Sequence, residues 1–219
     1  MITALEGGRK NGGGIVPGGV LEFFSDRHEY RLDGQTIPSV TQILKAAGLV
    51  DFGNAPQDRI EFAGRRGTLG HAACQYWDED DLDLDSLDPQ IIKYVVAWKN
   101  FRKDHGHLEI IETEQQHCGE LGGLLFGATV DRVMQFGERR TIVDIKTASE
   151  WKPWYPVQLA GYACGLAGAG TVAERLSRYR RLIVHLKGDC TYRLYECTDA
   201  RDGEIFAAAL KGWWDSEPL

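Results

Sequence analysis

Three residues in two neighbouring predicted strands, Asp131, Asp144 and Lys146, have the types and spacing to do chemistry. Their strands flank a candidate two-residue turn at Gly137-Glu138, where glycine in the first position favours a type II′ hairpin. In that register Asp131 and Asp144 face each other across the ladder, with Cβ atoms about 5 Å apart. Because residues two apart in a strand share a face, Lys146 joins them while Ile145 points into the core.

Two carboxylates at that distance destabilise a hairpin unless a cation compensates their charges. A divalent ion such as magnesium can do so, because it prefers oxygen ligands. A lysine beside the two metal-bound carboxylates can polarise a water molecule or offer a cation to a phosphate. The combination suits phosphodiester hydrolysis, in which a metal ion activates the attacking water and offsets the charge that develops in the transition state.

An isolated Asp-x-Lys is common, so the prediction also depends on residues upstream of the hairpin. Glu112 and Glu114 share one face of the preceding predicted strand, and Glu114 is the favoured additional oxygen ligand. His71 follows a glycine-rich segment, and its neutral imidazole could complete the coordination of a metal. Arg65 and Arg66, in the same segment, are expected beside the substrate backbone.

Two residues of the predicted helix downstream of Lys146 complete the set. Gln158 and Tyr162 are four positions apart and therefore share a helix face. The glutamine can reach the lysine or a DNA phosphate, and the tyrosine can stack on a base or bond to a phosphate. In the alternative interpretation both residues only pack the helix.

In chain order these residues resemble the RecB-like branch of the PD-(D/E)XK nuclease superfamily, with phage exonucleases and the mitochondrial genome maintenance exonuclease as the nearest likeness. The similar segments are Pro38–Thr41, Gly67–His71, Glu114, Ala128–Asp131, Asp144–Thr147 and Gln158–Tyr162. Two positions depart from the family pattern. Ala128 replaces the usual glycine, and Val130 stands in place of proline, which is common in this branch.

The resemblance implies an α/β fold with a restriction-endonuclease-like core of α-β-β-β-α-β order, a mixed sheet flanked by helices. It implies a magnesium- or manganese-dependent exonuclease acting on single-stranded DNA or DNA ends, in recombination, repair or phage DNA processing, with a single-strand annealing protein as a candidate partner. The expected catalytic set is Asp131, Asp144, Lys146, Glu114 and Gln158. The expected metal set is Asp131, Asp144, Ile145, His71 and Glu114, and the DNA-binding set is Arg65, Arg66, Thr147, Tyr162 and Lys152.

Hydrophobic periodicity predicts the elements that must position these residues. Residues 1–19 are expected to form a flexible glycine-rich leader and residues 20–219 a single nuclease domain. Turn and capping signals predict a hairpin over 20–37 around Asp33-Gly34 and a short helix opened by a Ser39/Gln42 capping box. Further helices are expected at 56–77 with a break near 64–70, at 89–104, 153–166 and 199–214, and strands at 108–116, 124–136, 140–147, 181–187 and 191–197.

The composition is that of a soluble globular chain, with 43% hydrophobic and 26% charged residues. The net charge of −7 argues mildly against a protein that coats nucleic acid, but the acidic run 78–88 carries most of that charge. Five widely spaced cysteines predict neither a disulfide framework nor an iron–sulfur cluster. With no apolar run of membrane-spanning length and no secretory signal, the cytoplasm is the expected location.

Two alternatives keep the nuclease fold and change the function. The same chemistry would serve an endonuclease of the resolvase or restriction type, which the sequence separates poorly from an exonuclease. An inactive nuclease fold could act as a DNA-binding or partner-docking module, although such a fold would normally have lost Asp131, Asp144 or Lys146.

Other chemistry-bearing residues suggest different sites. A zinc site could form from His105, His107, His117 and Cys118, although their spacing matches no common zinc module. The glycine-rich leader lacks the lysine and the following helix of a phosphate-binding loop, which makes a nucleotide-driven function improbable. The pairs Trp151/Trp154 and Trp213-Trp214 could stack on bases or serve as core or oligomer contacts.

Overall fold

The computed structural model describes residues 13–16, 19–25, 27–51 and 53–216. The strands are β1 (Gly13–Val16), β2 (Gly19–Phe24), β3 (Glu29–Leu32), β4 (Gln35–Ile37), β5 (Glu109–Leu121), β6 (Leu124–Phe136), β7 (Arg139–Lys146), β8 (Tyr179–Leu186) and β9 (Tyr192–Glu196). The helices are α1 (Val40–Ala46), α2 (Gln57–Asp78), α3 (Pro89–Asp104), α4 (Tyr155–Leu166), α5 (Val172–Ser177) and α6 (Arg201–Ser216), with a 3-10 turn at Leu84–Ser86.

The larger sheet carries the predicted strands in the order β5-β6-β7-β8-β9. Neighbouring strands are antiparallel except β7 and β8, which run parallel and are connected through α4 and α5. Of the two residues in the β6–β7 turn only Gly137 has a positive φ, +58°, as a type II′ hairpin requires. This mixed sheet with flanking helices confirms the predicted restriction-endonuclease-like α/β fold.

Helices cover both faces of this sheet because its strands send alternate side chains into two apolar cores. One core, which includes Ile142, lies against α1, α4 and α6. The other core, which includes Ile145, lies against α2 and α3. Asp144 and Lys146 alternate with Ile145 along β7 and therefore point away from the core that contains Ile145, as the sequence predicted.

Helix α2 is continuous, and the predicted break near residues 64–70 is wrong. Glycine in a helix interior costs about 1 kcal/mol relative to alanine, which tertiary packing can offset. Here the glycines allow close approach: a Cβ on Gly70 would lie 3.0 Å from Thr147 Cγ2, and one on Gly67 would lie 3.8 Å from Thr147 Oγ1. They bring α2 against the residue that follows Lys146.

A smaller antiparallel sheet, β1-β2-β3-β4, packs onto the larger one through Tyr30. Its β3–β4 hairpin turns at Asp33 and Gly34, whose φ values of +49° and +80° confirm the predicted turn. The Gly127 N–H of β6 donates to Pro38 O at 2.8 Å, which joins the two sheets. A Cβ on Gly127 would lie 2.2 Å from Tyr30 Cγ, so this contact requires glycine.

The remaining boundaries differ from the predictions mainly at strand β5, which is longer than expected and contains a register shift between Ile110 and Glu112. The predicted Ser39/Gln42 capping box is present, and at the start of α3 the Gln90 N–H donates to Asp88 Oδ1 at 2.8 Å. Of the expected leader, residues 1–12, 17 and 18 lie outside the described residues, whereas residues 13–16 form β1. All five cysteines are free thiols. Among the helices that the structure describes, none has the length and apolarity needed to cross a membrane.

The Gly127–Tyr30 contact predicts a packing-specific loss of stability. Gly127→Ala should lower the free energy of unfolding by about 1–3 kcal/mol, because the added methyl group overlaps the Tyr30 ring. Gly212→Ala in α6 is the matched control, since a Cβ there meets nothing within 4 Å. Urea denaturation of both variants decides the matter, and equal stability of the two would contradict the contact.

Candidate active site

Lys146 stands at the end of β7 between a carboxylate and an amide. Its Nζ lies 2.7 Å from Asp144 Oδ2 and donates to Gln158 Oε1 at 2.8 Å. The Gln158 Nε2 in turn donates to the Tyr162 hydroxyl at 2.8 Å and to Thr41 Oγ1 at 3.4 Å. Because both acceptors hold the nitrogen side of the amide, the Gln158 oxygen is fixed toward the lysine.

A second group, His71, Glu114 and Asp131, lies beside the lysine. His71 Nδ1, on α2, is 3.3 Å from Asp131 Oδ2 and 4.0 Å from Glu114 Oε1. One potential ligand atom from each residue lies within 4.8 Å of the others, and no other set of three His, Cys, Asp or Glu residues in the described ranges is gathered this way. The structure therefore brings the predicted histidine and the favoured glutamate to the first aspartate.

The two groups meet where the β6–β7 ladder ends. The ladder pairs Phe136 with Arg139 and continues to Arg132 and Val143, one pair short of Asp131 and Asp144. In place of that last pair, the Ile145 N–H donates to Asp131 Oδ2 at 2.7 Å. The Asp131 carboxylate thus lies between His71 and the backbone of β7.

Arg132 supports this arrangement from the core side, and no pattern in the sequence indicates that role. The side chain is fully buried, and it donates to Asp78 Oδ2 at 2.8 Å and to the Asp131 carbonyl at 2.6 Å. It also lies 3.6 Å from Glu114 Oε1 and 5.6 Å from the Trp98 ring centroid. One guanidinium therefore ties α2 and α3 to the strands that carry Glu114 and Asp131.

Burial and neighbouring charges together lower the pKa of Asp131 and raise the pKa values of Asp144 and His71. Burial raises the pKa of Asp131, but His71 and Lys146 outweigh it and hold that pKa well below its usual range. At Asp144 burial outweighs the nearby Lys146, and the Asp131 charge adds to it, so the pKa of Asp144 is raised. Burial lowers the pKa of His71, but the charges of Asp131 and Glu114 outweigh it and raise that pKa to about 9.

The residues gathered here fit a divalent cation. Carboxylate oxygens are the ligands that magnesium and manganese prefer, and imidazole is a common ligand of transition metals. Two ligands about 2.1 Å from one ion are at most about 4.2 Å apart, a limit that both His71 contacts satisfy. Asp144 does not belong to the group of three, and its Oδ2 faces Lys146 instead.

Three other residues considered for the site are paired or buried. Glu112 pairs with His117, their carboxylate and imidazole atoms 3.1 Å apart, and does not contact the His71 group. Thr147 and Tyr162 are 5% and 6% exposed, and their contact with DNA stays a prediction. Thr147 packs under α2, and Tyr162 orients Gln158.

The predicted basic DNA-binding residues lie nearer the surface. Arg65 is exposed and Arg66 is partly buried, both on α2 one to two turns before His71. Lys152 is partly exposed and lies 3.4 Å from Glu150. Ile145, in the predicted metal set, has its side chain buried in the α2–α3 core and its N–H engaged by Asp131.

The alternative zinc site is not assembled. His105 and His107 lie together beside Phe136 at one end of the sheet, while His117 is paired with Glu112. No group of three that includes them is found among the described residues. The reason is the length of β5, because His107 precedes this strand and His117 lies near its far end.

Thr41 is a site residue to which the sequence assigned no role. It belongs to the Pro38–Thr41 segment on which the resemblance partly depends, and its hydroxyl accepts from Gln158. The resemblance at Pro38–Thr41 was therefore the feature of the sequence that could have indicated a role for Thr41 in the site. Ser39 of the same segment caps α1 and so places Thr41 in its first turn.

Comparisons with known proteins agree with the family suggested by these residues. A family model for the PD-(D/E)XK nuclease superfamily matches residues 76–211. The match includes Asp131, Asp144, Lys146 and Gln158, and begins after His71. No curated protein matches the chain.

Two crystal structures are similar to this chain over most of its length. One is a candidate exonuclease from Eubacterium rectale, 11% identical, with a TM-score of 0.49 over 83% of this chain and 73% of its own. The other is SSO0001, 13% identical, with a TM-score of 0.38 over 82% of this chain and 84% of its own. Because both scores are below 0.5, neither bears on the function of this chain.

The raised pKa of His71 predicts that cation binding releases a proton. Below about pH 9 the metal-free imidazole is protonated and paired with Asp131, whereas a metal ligand must be neutral. Affinity for Mn²⁺ should therefore increase with pH up to about 9, by as much as about tenfold per pH unit. Calorimetric titration in buffers of different ionisation enthalpy measures the released proton.

The control is His71→Ala, which should retain weaker Mn²⁺ binding without the proton release at neutral pH. Binding by the unsubstituted protein that is equally tight across this pH range would contradict His71 as a ligand.

Proposed function

This chain belongs to the PD-(D/E)XK nuclease superfamily, and we propose that it is a metal-dependent DNA exonuclease acting on single-stranded DNA or DNA ends. Nucleases of this superfamily are divalent-metal-dependent hydrolases of phosphodiester bonds. The observation that carries the proposal is the position of the Lys146 ammonium, held between Asp144 and Gln158 beside the His71, Glu114 and Asp131 ligand group.

Asp131 and Glu114, with His71, are the residues that would hold the divalent ion, and the Asp144 carboxylate is available from the adjoining strand. When bound, the ion would lower the pKa of a coordinated water and offset negative charge on the reacting phosphate. We assign Mg²⁺ or Mn²⁺ to this site. The imidazole of His71 favours testing Mn²⁺ alongside Mg²⁺, because imidazole is a softer ligand than carboxylate.

Lys146 is proposed to orient the attacking water and to face the phosphate. An ammonium group has three N–H donors. One is given to Gln158 and another faces Asp144, which leaves a third for a water or a phosphate oxygen. Because the Gln158 amide is itself held by Tyr162 and Thr41, the direction of that donor is set before substrate arrives.

The preference for an exonuclease is supported by the resemblance of the ordered segments to the RecB-like branch, including Pro38–Thr41 and Gly67–His71. The same resemblance suggests recombination, repair or phage DNA processing, with a single-strand annealing protein as a partner. An endonuclease of the same fold is the second candidate. An inactive DNA-binding module is the third, and the presence of Asp131, Asp144 and Lys146 together argues against it.

Cleavage of defined DNA substrates tests the proposal. End-labelled linear and circular DNA, each single- and double-stranded, should be incubated with Mg²⁺, with Mn²⁺ and with a chelator. We expect metal-dependent shortening of linear DNA only, lost in Asp144→Asn because the neutral amide no longer balances Lys146 or attracts a cation. Cleavage of circles would support an endonuclease, and no cleavage with either metal would support the binding module.

Removal of the lysine should separate turnover from binding. Lys146→Ala is expected to reduce the cleavage rate at saturating DNA by about 10²–10³-fold, the usual effect of losing one group that stabilises transition-state charge. DNA affinity measured by fluorescence anisotropy without metal should change little. Lys211→Ala is the matched control, because that lysine lies on α6 and pairs with Asp215. A variant that binds DNA more weakly but cleaves bound DNA at an unchanged rate would show that Lys146 serves binding and not turnover.

A further inference from the structure

Four aromatic side chains form a continuous cluster that begins at the candidate lysine. Lys146 Nζ lies 4.9 Å from the Tyr155 ring centroid and 5.7 Å from that of Trp154. The Trp151 ring meets the edge of Tyr155 at 5.6 Å and lies against Tyr195 at 4.3 Å. The cluster therefore leads from the site, across the connection between β7 and α4, to strand β9.

The sheet register places the far end of this cluster close to the site. Lys146 is opposite His185 of β8, which is opposite Arg193 of β9. In the neighbouring row, Asp144 and Tyr195 are likewise two strands apart. Two strand spacings amount to about 10 Å, and residues directly opposite one another point to the same face of a sheet. Arg193 and Tyr195 thus share the face of the candidate site.

One end of the cluster is open to solvent, whereas Tyr155 is buried and Trp154 and Tyr195 are partly buried. Trp151 is 36% exposed. The indole N–H of Trp98 donates to Asp78 and that of Trp214 to the Leu125 carbonyl. The indole N–H of Trp154, by contrast, is shielded and finds no acceptor within the part of the chain that the structure describes. Because buried tryptophan N–H groups are usually bonded, this donor is suited to an acceptor on a bound ligand.

Two positively charged side chains lie near the exposed end of the cluster. The Arg193 guanidinium is exposed and lies 5.1 Å from the Tyr195 ring centroid. Lys187, which directly follows β8, adds a second cation and lies 3.0 Å from His185 Nδ1. The chain as a whole carries a net charge of −7, so this combination of cations and rings is a local feature.

We propose that Trp151, Tyr195 and Arg193 form a stacking platform for the bases of a single nucleic-acid strand whose backbone continues to Lys146. Aromatic rings beside cations bind single strands because every base has a π face and every nucleotide a charged phosphate. In a duplex those π faces are already stacked, so the platform favours an unpaired strand. The inference rests on the proposed nuclease function for its substrate class and adds the surface that selects the strand.

Binding without cleavage tests the platform directly. The full chain, kept free of metal by a chelator, is titrated into a fluorescein-labelled oligothymidylate of about 12 nucleotides and, separately, into a blunt duplex, with anisotropy as the readout. Trp151→Ala should raise the Kd for the single strand about tenfold, because a base would lose the aromatic ring on which it stacks. The Kd for the duplex should change less than twofold. Arg193→Ala should weaken single-strand binding and reduce its salt dependence.

The matched control is Phe136→Ala, which removes another exposed aromatic ring, 60% exposed, at the β6–β7 turn. It should leave both affinities unchanged, and Trp151→Phe should restore most of the single-strand affinity. Equal weakening of single-strand and duplex binding by Trp151→Ala, or no effect on either, would overturn the platform. Preserved melting temperatures for all variants exclude unfolding as the cause.

The two proposals fail in different ways. Active cleavage of DNA by a protein whose single-strand affinity does not depend on Trp151 would refute the platform and leave the nuclease function standing. Trp151-dependent binding of the oligothymidylate by a protein that cleaves nothing with Mg²⁺ or Mn²⁺ would refute the proposed activity and support the platform.

Discussion

The buried guanidinium of Arg132 is the constraint on which the geometry of the site depends. It contacts Asp78 of α2, the backbone of Asp131 on β6 and the carboxylate of Glu114 on β5. Removing one partner from a buried ion pair typically costs about 3–5 kcal/mol, so these elements cannot shift independently. The carboxylates that face His71 are therefore held from the core side by a cation that does not meet solvent.

On the open side, the site is balanced by its own cations before any metal binds. His71 compensates Asp131, and Lys146 compensates Asp144. Without these partners two carboxylates on adjoining strands would repel each other at the end of the ladder. A divalent ion would replace the proton of His71, while Lys146 would keep its contacts with Asp144 and Gln158. His71 and Asp131 would therefore take part in metal binding, whereas Lys146 would stay paired with Asp144 when the metal binds.

The sequence predicted what local periodicity controls. The glycine of the Gly137-Glu138 turn set the register, and alternation then placed Asp144 and Lys146 together and Ile145 in the core. Alternation failed for Glu112, which it put beside Glu114. A φ of +49° at Glu114 breaks the period of β5, and Glu112 meets His117 instead.

Other parts of the site could not be predicted because they depend on contacts between distant segments. A charged residue next to Asp131 in a strand pattern is expected at the surface, and only the packing of α2 and α3 buries Arg132. The glycines of α2 suggested a break, because glycine disfavours a helix unless a neighbour needs the space. Here Thr147 supplies that neighbour. Tyr162 was expected to reach DNA, but it is 6% exposed and its hydroxyl accepts from Gln158 of its own helix.

The short connection between β7 and α4 would link the proposed cleavage chemistry to the proposed selection of a single strand. It leaves the sheet at Lys146, is held under α2 at Thr147, and carries Trp151 before α4 returns Gln158 to the lysine. Because both ends of this connection are tied to the site, a base stacked on Trp151 and a phosphate at Lys146 would have a fixed separation. A strand whose base stacks on Trp151 must be unpaired there, and its phosphate can then reach Lys146 only at one distance along the strand. The fold itself would therefore select a single strand.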